Sequence, residues 1–120
     1  MHCHVDAKGI WHYKLQFGDW VALDAEPGSY FGATPNELVC SAYYAYSTLL
    51  FAKMARAIGK DSDYETYFIR YNKIIQNYRK NFFDKAGNLL VQTQTAHVVS
   101  LYFDLVDERY RRKIAANLVT

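Results

Sequence analysis

The sequence predicts an all-α fold of helical hairpins preceded by a strand-and-loop segment, and three observations carry that expectation. Apolar residues recur at helical spacing from Thr34 onward, capping residues and a glycine punctuate those runs, and runs apolar on every side alternate with runs apolar on one face. That alternation is what an inner layer of helices wrapped by an outer layer produces, in a toroid or a solenoid. A four-helix bundle is the alternative. Its helices would each lend one comparable stripe to a shared core, and two of the runs here are too broadly apolar for that. The helix starts keep no constant period of the tetratricopeptide or ankyrin kind.

The elements follow in order. Residues 1–33 alternate through Ile10, Trp11, Tyr13, Leu15 and Phe17 and then pass into a Gly- and Pro-containing stretch, so they read as a strand-like segment plus loop. Thr34 as N-cap, Pro35 at the first helical position and Glu37 three residues after the cap predict a helix start. Over 38–58, Leu38, Val39, Ala42, Tyr43, Tyr46, Leu49, Leu50, Phe51, Met54 and Ile58 leave only a narrow polar strip, which predicts a buried helix closed by Gly59. Ser62 with Glu65 repeats the capping spacing for a second helix over 62–82. Its single apolar face carries Tyr64, Tyr67, Phe68, Tyr71, Ile74, Ile75, Tyr78 and Phe82. The cluster Asp84-Lys85-Ala86-Gly87-Asn88 is a turn; Thr93 caps a third helix running to Leu105; and Asp107 opens a fourth, with Tyr110, Ile114 and Leu118 on one face. The hairpins thus fall at 34–82 and 93–120 within a single partial domain. The chain stops inside or just after the fourth helix, with no polar tail, and is expected to be a piece of something larger.

Composition narrows the function. The 120 residues are 51% hydrophobic and 17% aromatic, which demands a packed core, and 14 basic against 12 acidic residues leave a net charge of +2. So small a charge creates no field for nucleic acid or an anionic bilayer, and neither is an expected partner. No apolar run approaches the roughly 20 residues of a bilayer span, and Met1-His2-Cys3-His4 is unlike the basic head and apolar core of a signal segment, so a soluble chain is expected. Cys3 and Cys40 lie far apart without CxxC spacing, which suits neither a disulfide scaffold nor a zinc module. His2, Cys3 and His4 are candidate metal ligands only on paper. Neighbours on an extended segment point alternately to opposite sides, and no second ligand pair accompanies them. Cys40 reads as a small core residue.

The segment richest in chemistry is Phe17-Gly18-Asp19-Trp20, followed by Asp24, Glu26 and Tyr30-Phe31. Sites that bind sugars pair carboxylates, which accept hydroxyl hydrogens, with aromatics, which stack on sugar faces; loop aspartates also serve as turn formers, and tryptophans as core. His97, beside Gln92, Gln94 and Thr95 at the start of a helix, is either a ligand-facing group or a satisfied histidine next to a cap.

Four motifs carry a resemblance. Phe17-Gly18-Asp19-Trp20-Val21-Ala22, Thr34-Pro35-Asn36-Glu37-Leu38, Ala42-Tyr43-Tyr44-Ala45-Tyr46-Ser47, and Gln92-Thr93-Gln94-Thr95-Ala96 with Leu101-Tyr102-Phe103-Asp104-Leu105 resemble, in order and spacing, the catalytic domain of bacterial α-L-rhamnosidases of glycoside hydrolase family 78. The resemblance runs over residues 17–120. It implies that the hairpins are part of an (α/α)6 toroid and that the complete enzyme hydrolyses terminal α-L-rhamnosyl bonds with inversion, on a rhamnoside substrate, without metal or organic cofactor. It also implies that the general acid precedes this chain and the general base follows it, leaving no catalytic residue here. Asp19 would accept sugar hydroxyls at the rhamnose subsite and Trp20 would pack beside it, with His97 and Gln94 as more speculative additions. A free-standing helical module that binds a protein partner through its aromatic faces is the alternative function. Hairpins without their neighbours would leave apolar sides open, so the isolated chain is expected to self-associate.

Overall fold

The protein is described by a computed structural model over residues 4–12 and 16–119. Its elements in chain order are α1 (Asn36–Ala57), α2 (Asp61–Phe82), α3 (Gln94–Tyr102), a 3-10 turn (Glu108–Tyr110) and α4 (Arg111–Val119). Helices α1 and α2 form one long hairpin, and α3 and α4 a shorter one that meets the first mainly through α1. Among the described residues there is no sheet, only the isolated bridges Val5–Trp11, Trp20–Phe31 and Phe83–Leu89. The described residues of the expected strand-like segment therefore form no strand beyond the Val5–Trp11 bridge. Ile10 is buried, and the Trp11 N–H donates to Ser41 Oγ of α1 at 3.0 Å, whereas Phe17 stands exposed. Tyr13 and Leu15, named in that alternation, lie outside the described residues, as do His2 and Cys3.

The hairpin turn is set by glycine. Gly59, at φ +76, donates to the Arg56 carbonyl (3.1 Å), and Lys60 donates to the Ala55 carbonyl (2.8 Å), so the last carbonyls of α1 are satisfied as the chain reverses. Helix α3 ends by the same device with Asp104 in the glycine role, at φ +59. Asp104 donates to the Leu101 carbonyl (3.2 Å) and Leu105 to the Ser100 carbonyl (2.9 Å). Arg111 holds the Asp104 carboxylate at 2.7 Å. This is why α3 stops at Tyr102 and not at the expected Leu105: periodicity alone does not show a non-glycine residue taking the left-handed conformation.

Two helix starts differ from expectation. Thr34 does not cap α1. Pro35 takes the cap position without any side-chain bond, while the buried Thr34 hydroxyl is 2.6 Å from the Thr93 hydroxyl. Helix α2 begins at Asp61 without a side-chain cap, and Ser62 lies inside it, its carbonyl accepting from Thr66 Oγ1 at 3.0 Å. Asp61 and Asp63 in that first turn still complement the helix dipole. Thr93 caps α3 as expected, accepting from the Ala96 N–H at 3.2 Å. Asp107 likewise accepts from the Arg109 N–H, though the turn it opens is 3-10 before it becomes α4.

The core lies where α2 sets Tyr71, Ile74, Ile75 and Tyr78 against Leu38, Ala42 and Ala45 of α1, with Ala96, Phe103 and Leu105 closing one end. A smaller cluster of Leu89, Val106 and Ile114 holds α4 to the 83–89 turn. Helix α2 is amphipathic as expected. Helix α1 is apolar all round but buried on one side only: Tyr43, Phe51, Met54 and Ile58 are largely exposed. The expectation of a fully buried helix is thus not met among the described residues, because no element here covers its outer side. No described helix is long and apolar enough to cross a membrane.

The Tyr78 hydroxyl is fully buried and bonded to Ser100 Oγ (2.9 Å), so Tyr78→Phe leaves Ser100 without this partner and should cost about 1 to 2 kcal/mol in chemical denaturation. Burial pushes that hydroxyl well above its ordinary value of 10.0, against a smaller opposing effect of the Ser100 bond. The folded chain then keeps the proton to higher pH than the unfolded chain. This contribution is present below about pH 10 and lost as pH rises beyond it, which the difference between wild type and Tyr78→Phe in alkaline denaturation reads directly. Thr34→Val, which keeps the shape and removes the hydroxyl, should cost about 1 kcal/mol through the lost contact with Thr93. If that contact is the cause, Thr34→Val and Thr93→Val will be non-additive in a double-mutant cycle.

Candidate functional site

The loop before α1 folds back on itself and turns the Asp19 carboxylate inward, while Asp24 and Glu26 stay exposed. The Trp20–Phe31 bridge closes it; the Gly32 N–H donates to the Asp19 carbonyl (2.7 Å), and the Ala33 N–H donates to Asp24 Oδ1 (3.2 Å). A Cβ at position 32 would stand 2.7 Å from Asp19 Oδ2 and 2.8 Å from Asp24 Oδ1, so only glycine lets the two carboxylates approach this side of the backbone. Asp19 reaches beyond the loop: Thr95 Oγ1, in the first turn of α3, donates to Asp19 Oδ1 at 3.1 Å. Asp19 Oδ2 is buried and has no hydrogen-bond partner.

The aromatic residues of the same loop face outward. Trp20 stacks on Tyr30 (ring centres 5.1 Å apart, 25° between planes) and meets Phe17 and Phe31 edge-on at 5.3 and 5.1 Å. Trp20 remains 44% exposed, Tyr30 65% and Phe17 73%. So large an apolar cluster at the surface, beside an inward carboxylate, combines stacking surface with hydroxyl acceptor.

Behind the loop, the start of α3 is densely tied. Thr93 joins Thr34 through its hydroxyl, and its carbonyl accepts from His97 Nδ1 at 2.7 Å. Because a carbonyl can only accept, Nδ1 is the donor in this bond, and the buried Nε2 has no hydrogen-bond partner. Of the residues singled out in the sequence, Asp19, Asp24 and Thr95 come together, with His97 on the same helix start. Gln94 and Glu26 are exposed, and the Gln92 amide donates to the Leu89 carbonyl. Gly32 and Thr34 were not legible as parts of the site. Thr34 meets a partner 59 residues away and Asp19 one 76 residues away, and local patterning carries no sign of either.

Cys40 is half-buried. It lines a cavity of about 340 Å³ with Trp11, Gly18, Val39, Tyr43, Tyr44 and Ser47. Burial, and next the nearby Glu37, push its thiol up, which disfavours the nucleophilic thiolate. Among the described residues no group of three or more His, Cys, Asp and Glu side chains could hold a metal ion.

Comparison with known proteins places this geometry in a family. The bacterial α-L-rhamnosidase six-hairpin glycosidase domain matches residues 3–120. An α-L-rhamnosidase of Formosa agariphila is 29% identical over 120 residues, covering 98% of this chain and 13% of that protein. The crystal structure of an Aspergillus terreus α-L-rhamnosidase superposes with a TM-score of 0.88 at 26% identity, over 95% of this chain and 14% of that one. That of a Streptomyces avermitilis α-L-rhamnosidase complexed with L-rhamnose superposes with a TM-score of 0.80 at 28% identity, over 98% and 10%. The chain thus spans between a tenth and a seventh of the length of these relatives. With the match running through the loop, both hairpins and every residue of the Asp19 cluster, the chain belongs to the bacterial α-L-rhamnosidase six-hairpin glycosidase family.

Proposed function

We propose that this chain is a substrate-holding portion of an inverting α-L-rhamnosidase, in which Asp19 accepts a hydroxyl of the rhamnose and Trp20 packs beside the sugar. One observation carries the reading. Asp19 has one carboxylate oxygen fixed by Thr95 and the other with no partner, next to an exposed aromatic cluster. An unpaired carboxylate oxygen is a strong acceptor for a sugar hydroxyl, and its bond is charge-assisted. Oδ2 is shielded from water as the loop stands, so binding a hydroxyl there requires the side chains that cover it to give way.

The reading also assigns the acid and base elsewhere. Inversion needs two carboxyl groups roughly 6.5 to 9.5 Å apart, so that a water fits on the far side of the sugar. Asp19 Oδ2 and Asp24 Oδ1 lie within 2.8 Å of a single point, the place of an absent side chain at Gly32, and are too close to act as such a pair. On this reading neither is a catalytic residue, and the acid and base belong to the parts of the enzyme beyond these residues. The exposed apolar faces of α1 and α2 are common to this reading and to that of a helical interaction module; the family match supports only the first.

In a complete enzyme containing this segment, Asp19→Ala should lower kcat/KM on an aryl α-L-rhamnoside by roughly tenfold to a thousandfold, the equivalent of one or two charge-assisted hydrogen bonds. Unchanged kinetics would assign Asp19 to loop structure. The isolated chain should show no turnover of the same substrate. It should also sediment as a dimer or larger species at micromolar concentration, because Tyr43, Phe51, Met54, Ile58, Ile69 and Tyr102 stand exposed on its helices and find cover in a second copy. A monomer that binds no apolar dye would refute the self-association.

A further inference from the structure

We infer that Thr95 is a positioning residue for the sugar-binding carboxylate: its hydroxyl fixes Asp19 Oδ1, so that Oδ2 alone is left to the ligand, held in the close approach to the backbone that Gly32 permits. This rests on the proposed role of Asp19 and extends it to two residues that touch no substrate. A free aspartate side chain rotates about two bonds, and its two oxygens interchange by a half-turn of the carboxylate. Such a group loses rotamer freedom each time it binds. Here the loss is met in advance. The Asp19 carbonyl is held by the Gly32 N–H at 2.7 Å, and Oδ1 is held by Thr95 Oγ1 at 3.1 Å. Backbone and side chain are thus tied at separate points, and the carboxylate cannot turn without breaking one of them.

The donor is well placed for the task. Thr95 lies in the first turn of α3, whose start is itself anchored by the Thr93 cap on Ala96, the Thr93–Thr34 hydroxyl contact and the His97–Thr93 bond. The loop bearing Asp19 is largely exposed and belongs to no helix, whereas the helix start that supplies the hydroxyl is partly buried, with Ala96 and His97 inside, and is tied to Thr34 just before α1. Position is therefore set by the rigid partner. Oδ2 is the only one of the two oxygens left for a ligand, and it packs with Ala22 Cβ and Asp24 Oδ1 against the bare backbone of Gly32. A methyl there would stand 2.7 Å from it and 2.8 Å from Asp24 Oδ1.

The test uses the complete enzyme carrying this segment and an aryl α-L-rhamnoside, with four variants. Thr95→Val, which keeps the volume and loses the hydroxyl, should lower kcat/KM about tenfold. Thr95→Ser, which restores the donor, should recover to within about twofold of wild type, since a contribution from the methyl group alone would not be recovered. In an Asp19→Ala background, Thr95→Val should have no further effect, because the group it positions is gone. Gly32→Ala, in an exposed loop away from the core, serves where Thr95→Val does not accumulate as folded protein, and should lower kcat/KM to a similar extent. A loss on Asp19→Ala with Thr95→Val and Gly32→Ala at wild-type rates would overturn the positioning role and leave the sugar-binding role of Asp19 standing. Wild-type kinetics in Asp19→Ala would instead remove the reading on which the inference rests. Equal losses in Thr95→Ser and Thr95→Val, or additive losses with Asp19→Ala, would show that Thr95 acts on the helix and not through the carboxylate.

Discussion

Everything else in this structure depends on one packing constraint: Tyr71, Ile74, Ile75 and Tyr78 of α2 must fit the face of α1 made by Leu38, Ala42 and Ala45. Small residues on one helix admit bulky ones from the other, and the two helices close into a hairpin with only residues 58–60 between them. Tyr78 then carries the constraint outward. Its hydroxyl reaches Ser100, while the neighbouring Arg79 Nε donates to the Leu105 carbonyl at 2.8 Å, so α2 fixes the last turn of α3 and the segment that follows it. Burial without its hydroxyl partner would make this tyrosine a liability; with Ser100 in place it aligns the second hairpin on the first.

The candidate site inherits its geometry from that alignment. Once α3 is placed against α1, the starts of the two helices meet, Thr34 meets Thr93, and Thr95 comes within reach of a loop that has little structure of its own. The loop supplies the chemistry and the helices supply the position. This division is common where binding residues ride on surface segments held by a rigid frame. It also separates the two halves of the Asp19-Trp20 pair: the carboxylate turns toward α3, and the indole joins an exposed group of aromatic rings.

The one-sided burial of α1 links the fold to the family. An isolated soluble hairpin gains nothing from an outer face bearing Tyr43, Phe51, Met54 and Ile58, whereas a helix set among further helices buries such a face at roughly 1.5 to 3 kcal/mol for each large side chain. The relatives this chain resembles are seven to ten times its length, and the matched domain is named for six hairpins. The surplus of apolar surface on α1 and the small share of the relatives that the chain spans are two views of the same circumstance.

The sequence by itself determined the all-α class, the two broadly apolar helices and the amphipathic α2, the Gly59 reversal, the Thr93 cap and the family, because each is written in local spacing or in contiguous motifs. It also singled out Asp19 and Trp20 as residue types suited to sugars. Tertiary structure alone decided the rest. Thr34 has every mark of a local cap, yet its hydroxyl goes to Thr93, since a buried hydroxyl goes where the packed fold offers a partner. Asp104 ends α3 early in a conformation that sequence patterning assigns to glycine, with Arg111 holding its carboxylate. Ile10 and Trp11, among the described residues of the alternating segment, join no strand beyond the Val5–Trp11 bridge, and Trp11 docks on Ser41 instead. Thr95 became the donor to Asp19 only through the approach of α3 to the loop, a contact between residues 76 positions apart whose existence depends on how whole helices pack.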